Sequence, residues 1–306
     1  MWNMEEKKIQ GFEQAVRVLP LRLRQEAMAL PADQRARVEE LRLRWGRPMA
    51  AVLPEGERPL GGEPVTGQEL EQLLELASRA SFHTVADQLR RGYLTVEGGH
   101  RVGLCGTAVV RDGELRGLRR LSSAAVRVAR QAVGAARPVS DRLLRREGTL
   151  YSTLILAPPG AGKTTLLRDL IQAASDGEGM TPHRVGVADE RGEVAALWNG
   201  RPQLEVGART DVLEGCPKAL ALMLLLRSMN PQVLAADEIT APEDVRALIS
   251  AAGCGAALLA TAHGWDRRDL EERPLYRELM AAGVFRRLVL IRREGDRRRY
   301  EVEELP

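Results

Sequence analysis

The sequence predicts an α/β protein in two parts. A mixed α+β domain is expected over residues 1–133, and a mainly parallel sheet with helices on both faces over residues 149–306. Three observations lead there. The chain has 306 residues, enough for two domains at roughly 100–200 residues each. Its first half alternates strand-like segments with glycine turns. Its second half alternates short, nearly continuous apolar runs with helical stretches, the pattern of parallel strands buried on both faces. Between the halves, Gly134-Ala135-Ala136-Arg137-Pro138 and the charged stretch after it are polar and interrupted by proline, so residues 134–148 read as a linker.

Composition bounds the chemistry. Hydrophobic residues are 44% and charged residues 28%, the balance of a globular protein rather than a disordered one. The longest wholly apolar run is residues 219–226, well short of the roughly 18–20 residues that a bilayer crossing needs. The start, Met1-Trp2-Asn3-Met4-Glu5-Glu6-Lys7-Lys8, is polar and carries no apolar h-region, so no secretory signal is expected. Cys105, Cys216 and Cys254 are far apart and odd in number, which fits reduced thiols in a cytoplasm. Residues 1–150 hold 25 basic against 19 acidic side chains, or +6, and the remainder 20 against 23, or −3. Lysine is scarce: only Lys7, Lys8, Lys163 and Lys218 stand among 45 basic residues. A lysine inside a glycine-rich segment is therefore conspicuous.

In the first domain, residues 1–37 read as amphipathic helices broken at Leu19-Pro20 and Leu30-Pro31. Residues 40–45 alternate Leu41, Leu43 and Trp45 with Arg42 and Arg44, a half-buried strand, and residues 49–53 are its partner after the Gly46-Arg47-Pro48 turn. Thr66-Gly67-Gln68-Glu69 is a capping box opening a helix striped with Leu70, Leu73, Leu74 and Ala77. A second helix is expected near residues 85–91. Residues 93–96 and 101–104 flank Glu97-Gly98-Gly99 as a hairpin; another hairpin turns at Asp112-Gly113, and residues 124–129 form a further strand.

In the second domain, strands are expected at residues 153–157, 184–188, 233–236 and 256–260, with an antiparallel edge hairpin at the end, turning at Gly295-Asp296. Ala157-Pro158-Pro159-Gly160-Ala161-Gly162-Lys163-Thr164-Thr165 follows the first strand and opens a helix striped with Leu166, Leu167 and Leu170. That is the context of a Walker A phosphate loop. Gly160 and Gly162 let backbone amides converge on an anion, at the positive end of the helix. Lys163 is placed to reach the β- and γ-phosphates and Thr164 to ligate Mg²⁺. The strict pattern has glycine where this chain has Ala157, a substitution that the looser pattern admits. Val233-Leu234-Ala235-Ala236-Asp237-Glu238 is an apolar strand ending in two acids, which downstream of a phosphate loop places Asp237 at the Mg²⁺ shell and Glu238 beside the attacking water. Alone, such a run is also what any buried strand with a capping acid shows. Ala188-Asp189-Glu190-Arg191 and Thr261-Ala262-His263-Gly264 end two more strands, and ligands of such sheets sit beyond the strands' carboxyl ends.

The order of Walker A, Asp189-Glu190, Leu226-Arg227-Ser228-Met229-Asn230-Pro231, Walker B and Thr261-Ala262-His263 resembles the secretion and pilus-retraction ATPases of type II and type IV systems, with their acidic box, leucine-arginine stretch and His box. Gly98-Gly99-His100-Arg101-Val102-Gly103, Arg209-Thr210-Asp211-Val212-Leu213 and Cys216-Pro217-Lys218-Ala219 resemble the stage III sporulation protein AA family more closely still, and the likeness spans nearly the whole chain. It departs at Thr240, where glycine is expected after the Asp-Glu-Ile. The resemblance implies a RecA-like P-loop ATPase domain behind a smaller α+β domain, binding ATP and Mg²⁺ between subunits of a homo-hexamer. It implies a cytoplasmic protein, peripheral at a membrane complex, that powers assembly of or transport through a channel between mother cell and forespore. It also implies that Arg101 and Arg127 supply charge to the nucleotide. Lys163, Glu238, Glu190, His263, Arg101 and Arg127 are the candidate catalytic residues, Glu238 and Glu190 competing as general base. A nucleic-acid-binding RecA-like ATPase is the second reading, since the N-terminal half is basic; the 4% aromatic content and the lack of a dense basic run argue against it. A small-molecule kinase fits least, given the Asp-Glu pair and the domain that precedes it.

Overall fold

The structure, a computed structural model, describes residues 4–78, 92–294 and 297–306. The helix expected near residues 85–91 and the turn at Gly295-Asp296 lie outside the described residues. The chain forms two compact units, residues 1–130 with 196–203, and residues 131–195 with 204–306.

The first unit begins with helices α1 (Met4–Ala15), α2 (Leu21–Met28) and α3 (Ala32–Arg35), with Pro20 and Pro31 as the N-cap residues of the second and third. Its six-stranded sheet is antiparallel, in the order β3-β2-β1-β6-β5-β4: β1 (Glu40–Arg44), β2 (Pro48–Leu53), β3 (Gly56–Pro64), β4 (Tyr93–Thr95), β5 (Arg101–Arg111) and β6 (Glu114–Arg127). The alternation of residues 40–45 holds for Leu41 and Leu43, but Trp45, expected on the same buried side, follows the end of the strand and is 60% exposed. Leu41 and Leu43 are fully buried with Phe12, Leu19, Leu23, Met49, Val102 and Val126, each such side chain contributing roughly 1.5–3 kcal/mol. Helix α4 (Gly67–Ala77) adds Leu70 and Leu73 to that core. Its capping box is formed: the Glu69 amide donates to Thr66 Oγ1 at 3.2 Å, and the Thr66 amide to Glu69 Oε2 at 2.8 Å. Strand β3 was not expected, because Gly-Glu-Arg-Pro-Leu-Gly-Gly-Glu-Pro reads as loop. It is an edge strand, where prolines are tolerated because one side of the ladder needs no partner. A two-stranded ribbon, β9 (Leu197–Trp198) with β10 (Arg201–Pro202), also belongs to this unit.

The second unit is a seven-stranded sheet in the order β11-β8-β12-β13-β7-β14-β15. Its strands are β7 (Thr153–Ala157), β8 (Val185–Asp189), β11 (Thr210–Glu214), β12 (Val233–Ala236), β13 (Ala257–His263), β14 (Arg287–Glu294) and β15 (Arg297–Glu304). All neighbours are parallel except the β14–β15 hairpin, which closes one edge as expected. Helices α5 (Lys163–Asp176), α6 (Lys218–Met229), α7 (Pro242–Gly253), α8 (Arg267–Glu272) and α9 (Pro274–Ala281) cover it. Leu154, Leu156, Leu234, Leu258 and Leu288 face a core shared with α6, α7, α8 and α9, while α5 packs against β7, β8, β11 and β13. With Ile155, Val187, Ala235 and Leu259 buried on the alternate positions, both faces are covered, which is why these strands read as continuous apolar runs. Strand β11 was missed for the converse reason: it is the other edge, and Thr-Asp-Val-Leu-Glu is only half-buried.

Residues 134–148, expected as a linker, are packed into the second unit. The amides of Gly134 and Ala136 donate to the Asp169 carboxylate at 2.9 and 2.7 Å, and Ala136, Val139 and Leu143 are buried. Three apolar residues spaced among charges and a proline carry too weak a period to be read as an element.

One buried residue of the first unit titrates. His100 is almost fully buried; its Nδ1 accepts the Ala129 amide at 3.0 Å, its Nε2 has no partner, and burial pushes its pKa down to about 4 from 6.5. The unfolded chain therefore takes up a proton that the folded chain refuses. Stability is whole above pH 6.5 and is lost as pH falls toward 4, by about 3 kcal/mol at most. Urea midpoints measured from pH 7.5 to 4.5 will fall more steeply for the wild type than for His100→Asn, which keeps an acceptor and cannot charge.

Candidate functional site

Strand β7 stands inside the sheet, between β13 and β14. Beyond its carboxyl end the chain passes through Pro158, Pro159, Gly160, Ala161 and Gly162 into α5. Gly160 and Gly162 have φ of +73° and +105°, conformations that suit glycine and turn successive amides toward one point. A Cβ at Gly160 would meet nothing within 4 Å, while one at Gly162 would strike the Arg298 guanidinium at 2.7 Å. Helix α5 starts with no side-chain cap and no acid in its first turn. Its first amides, including those of Lys163, Thr164 and Thr165, are thus left for an anion at the helix's positive end. Together these features fit a bound chain of phosphates.

Five of the sequence-predicted side chains meet here. The Thr164 hydroxyl donates to Asp237 Oδ2 at 2.6 Å, and the Thr261 hydroxyl donates to Asp237 Oδ1 at 2.6 Å. Burial holds the Asp237 carboxyl above the ordinary range, and the two hydroxyls offset that rise only in part. Lys163 is buried; its ammonium donates to the carbonyls of Ala157 (3.0 Å) and Pro158 (3.2 Å) and lies 2.9 Å from His263 Nδ1. Burial lowers its pKa, against the charges of Asp237 and Glu238 that raise it. His263 Nε2 is 2.9 Å from Glu238 Oε1, and Arg191 Nη1 donates to Glu238 Oε2 at 2.8 Å. Glu238 has φ +55°, the left-handed region that a non-glycine residue occupies only when its surroundings impose it. A hydroxyl and a carboxylate beside a phosphate cradle are a donor set for Mg²⁺, which keeps most of its shell for phosphate oxygens and water.

The remaining candidates have partners of their own. Glu190 follows the end of β8, where Lys218 donates to its Oε2 at 2.9 Å; Lys218 is buried and also lies 3.5 Å from Asp244. Asp189, expected to line the crevice, is 1% exposed and accepts the amides of Glu193, Val194 and Ala195 at 2.8 to 3.0 Å, so its carboxylate shapes the loop. Arg101 and Arg127 belong to the first unit and pair across β5 and β6. Arg101 stacks on Tyr93 with 4.3 Å to the ring centre, and Arg127 donates to Glu40 at 3.1 Å.

Three residues in and around the site were not singled out from the sequence. Thr261 also accepts the Glu238 amide at 2.7 Å; its place two residues before His263 on one strand, hence on the same face, was the available signal. Arg298, on the edge hairpin, donates to the Ala161 carbonyl at 2.9 Å. Arg168, one turn into α5, is buried and grips the carbonyls of Val194 and Glu193 at 2.6 and 2.5 Å. Among so many arginines, nothing marks Arg168 or Arg298 in sequence. An open cavity of about 760 Å³, lined by Pro158, Ala161, Trp265, Asp266, Ile291 and Arg292 among others, borders the loop.

Comparison with solved structures defines the class. The chain superposes on the pilus retraction motor PilT with bound ADP at a TM-score of 0.60, with 16% identity, covering 88% of this chain and 80% of that one. The Legionella pneumophila ATPase DotB gives 0.56, with 14% identity and coverage of 87% and 76%. The fold is therefore the RecA-like phosphate-loop fold of secretion and pilus ATPases, behind a smaller N-terminal unit. The family described as sporulation stage III, protein AA matches residues 8–302. Stage III sporulation protein AA of Bacillus subtilis (strain 168) is 39% identical over 286 residues, 91% of this chain and 90% of that protein. This chain belongs to the sporulation stage III protein AA family.

Proposed function

We propose that the chain is a Mg²⁺-dependent ATPase of the secretion-motor type. The observation that supports it most directly is the meeting of the Thr164–Asp237 hydrogen bond and the Lys163–His263–Glu238 chain at the uncapped start of α5. The amides of the glycine loop and of Thr164 and Thr165 hold phosphate oxygens. Lys163 gives up partners to reach them, and Thr164 and Asp237 hold the metal. When bound, Mg²⁺ offsets the charge that develops on the phosphates. Glu238 orients the attacking water and takes its proton. Glu238 is favoured over Glu190 because it shares a hydrogen-bond chain with Lys163 through His263, whereas Glu190 is engaged by Lys218. Arg101 and Arg127 are proposed to add guanidinium charge during hydrolysis.

Family membership supports a role in sporulation. The fold, shared with a retraction motor, supports a homo-hexamer that drives assembly of or transport through a membrane channel between mother cell and forespore. Such a motor is cytoplasmic and reaches the membrane through partner proteins; among the described residues no helix is long and apolar enough to cross a bilayer.

Lys163→Ala will abolish hydrolysis and strongly weaken ATP binding with the fold retained; wild-type turnover by the folded variant would remove the assignment. Glu238→Gln will bind ATP and slow hydrolysis by about 10²–10⁴-fold, the contribution of a positioned base. If Glu190→Gln is slower than Glu238→Gln, the two carboxylates exchange roles. Arg101→Ala will lower turnover by at least about tenfold at nearly unchanged ATP affinity, read from steady-state kinetics with circular dichroism as the fold control.

A further inference from the structure

We propose that His263 is a positioning residue: a ring with one fixed tautomer that tethers Lys163 to Glu238 and lets go of the lysine when phosphate claims it. The inference rests on the nucleotide reading above and adds to it how phosphate contact reaches the base. An ammonium has three donors and no acceptor. Its three partners here are the carbonyls of Ala157 and Pro158 and His263 Nδ1, at 3.0, 3.2 and 2.9 Å. Nδ1 must therefore be an acceptor, which puts the ring proton on Nε2, where it is donated to Glu238 Oε1 at 2.9 Å. The other carboxylate oxygen of Glu238 accepts from Arg191. Both oxygens of the proposed base are thus engaged, and all three donors of the phosphate-loop lysine are too.

This arrangement has a consequence for binding. Lys163 cannot reach a phosphate oxygen without releasing partners, and releasing His263 leaves Nδ1 an acceptor without its donor. The ring then loses one of the two anchors that fix its plane, and ring and carboxylate, still joined through Nε2–H, can turn as a pair. The carboxylate becomes free to turn toward a water only when the lysine is on phosphate. Without phosphate the base stays tied down, so water is not activated against an incomplete site. The ring transmits position; no proton need pass through it.

The test uses the full chain and ¹⁵N spectra of its histidine rings, with the His263 signals assigned by their loss in His263→Gln. In ligand-free protein the ring will show the Nε2–H tautomer. Lys163→Ala and, separately, Mg²⁺ with a non-hydrolysable ATP analogue will each shift the Nδ1 signal, because each removes the same donor. In kinetics, His263→Ala will lower kcat about 10- to 100-fold with KM for ATP within about threefold, as loss of orientation does. His263→Gln, whose amide can accept at one end and donate at the other, will recover most of it. An Nδ1–H tautomer in the ligand-free protein, an Nδ1 signal indifferent to Lys163→Ala, or wild-type kcat in His263→Ala would each overturn the proposal. Wild-type turnover in Lys163→Ala would instead strike the nucleotide reading, leaving the ligand-free spectra to decide the tautomer independently.

Discussion

The arrangement of the site depends on one carboxylate. Asp237 leaves the end of β12 and is held by two hydroxyls at 2.6 Å, one from the first turn of α5 and one from β13. Those hydrogen bonds fasten three elements to one another at the point where a metal would sit. A buried carboxylate without donors would shed its charge; two short hydroxyl bonds favour the ionised form that a cation needs. The same Thr261 hydroxyl takes the amide of Glu238, so the residue that fixes Asp237 also fixes the start of the next. Losing Thr261 would therefore disturb both acids at once.

What brings these groups together is the direction of the strands. In a parallel sheet every carboxyl end emerges on the same side, so residues ending β8, β12, β13 and β7 become neighbours although up to about a hundred positions separate them in the chain. Each strand-end acid there meets donors of its own. Asp189 takes backbone amides, Glu190 takes Lys218, Asp237 takes hydroxyls, and Glu238 takes Arg191 and His263. Distinct partners give the four acids different tasks. Glu238 connects to Lys163 through His263, and Asp237 is held by Thr164, the next residue along the chain.

Much of this was legible in sequence, for identifiable reasons. The phosphate loop is a local object: its glycines, lysine and hydroxyl are consecutive, so spacing alone specifies it. The capping box at Thr66 and the alternation at residues 40–45 are local too. The failures are non-local or hidden by composition. Strand β3 exists because β2 offers an edge, which its own glycines and prolines do not announce. Asp189 looked like a crevice residue because strand ends usually are; whether a carboxylate faces ligand or loop amides depends on the path of residues 193–195. Arg168 and Arg298 were lost among the other arginines. Arg101 and Arg127 show the same difficulty from the other side, since their contacts with Tyr93 and Glu40 are ones that any strand arginine could make.

The departure at Thr240 shows how the turn after the second acid is held. A glycine there would serve to reverse the chain at positive φ. In this protein Thr240 has no such conformation; the left-handed step falls on Glu238, at φ +55°. That conformation costs on the order of 1 kcal/mol for a residue with a side chain. It is offset locally by the Glu238 amide on Thr261 Oγ1 at 2.7 Å and the Ile239 amide on the Thr261 carbonyl at 2.8 Å. The reversal is then completed by Asp244, from the first turn of α7, which accepts the amides of Thr240 and Ala241 at 3.0 and 3.1 Å and lies 3.5 Å from Lys218. With those amides satisfied by a side chain, residue 240 needs no freedom beyond that of an ordinary L-residue. The bend sits at Glu238 itself, so the same hydrogen bonds that stabilise the turn also fix the backbone of the proposed base.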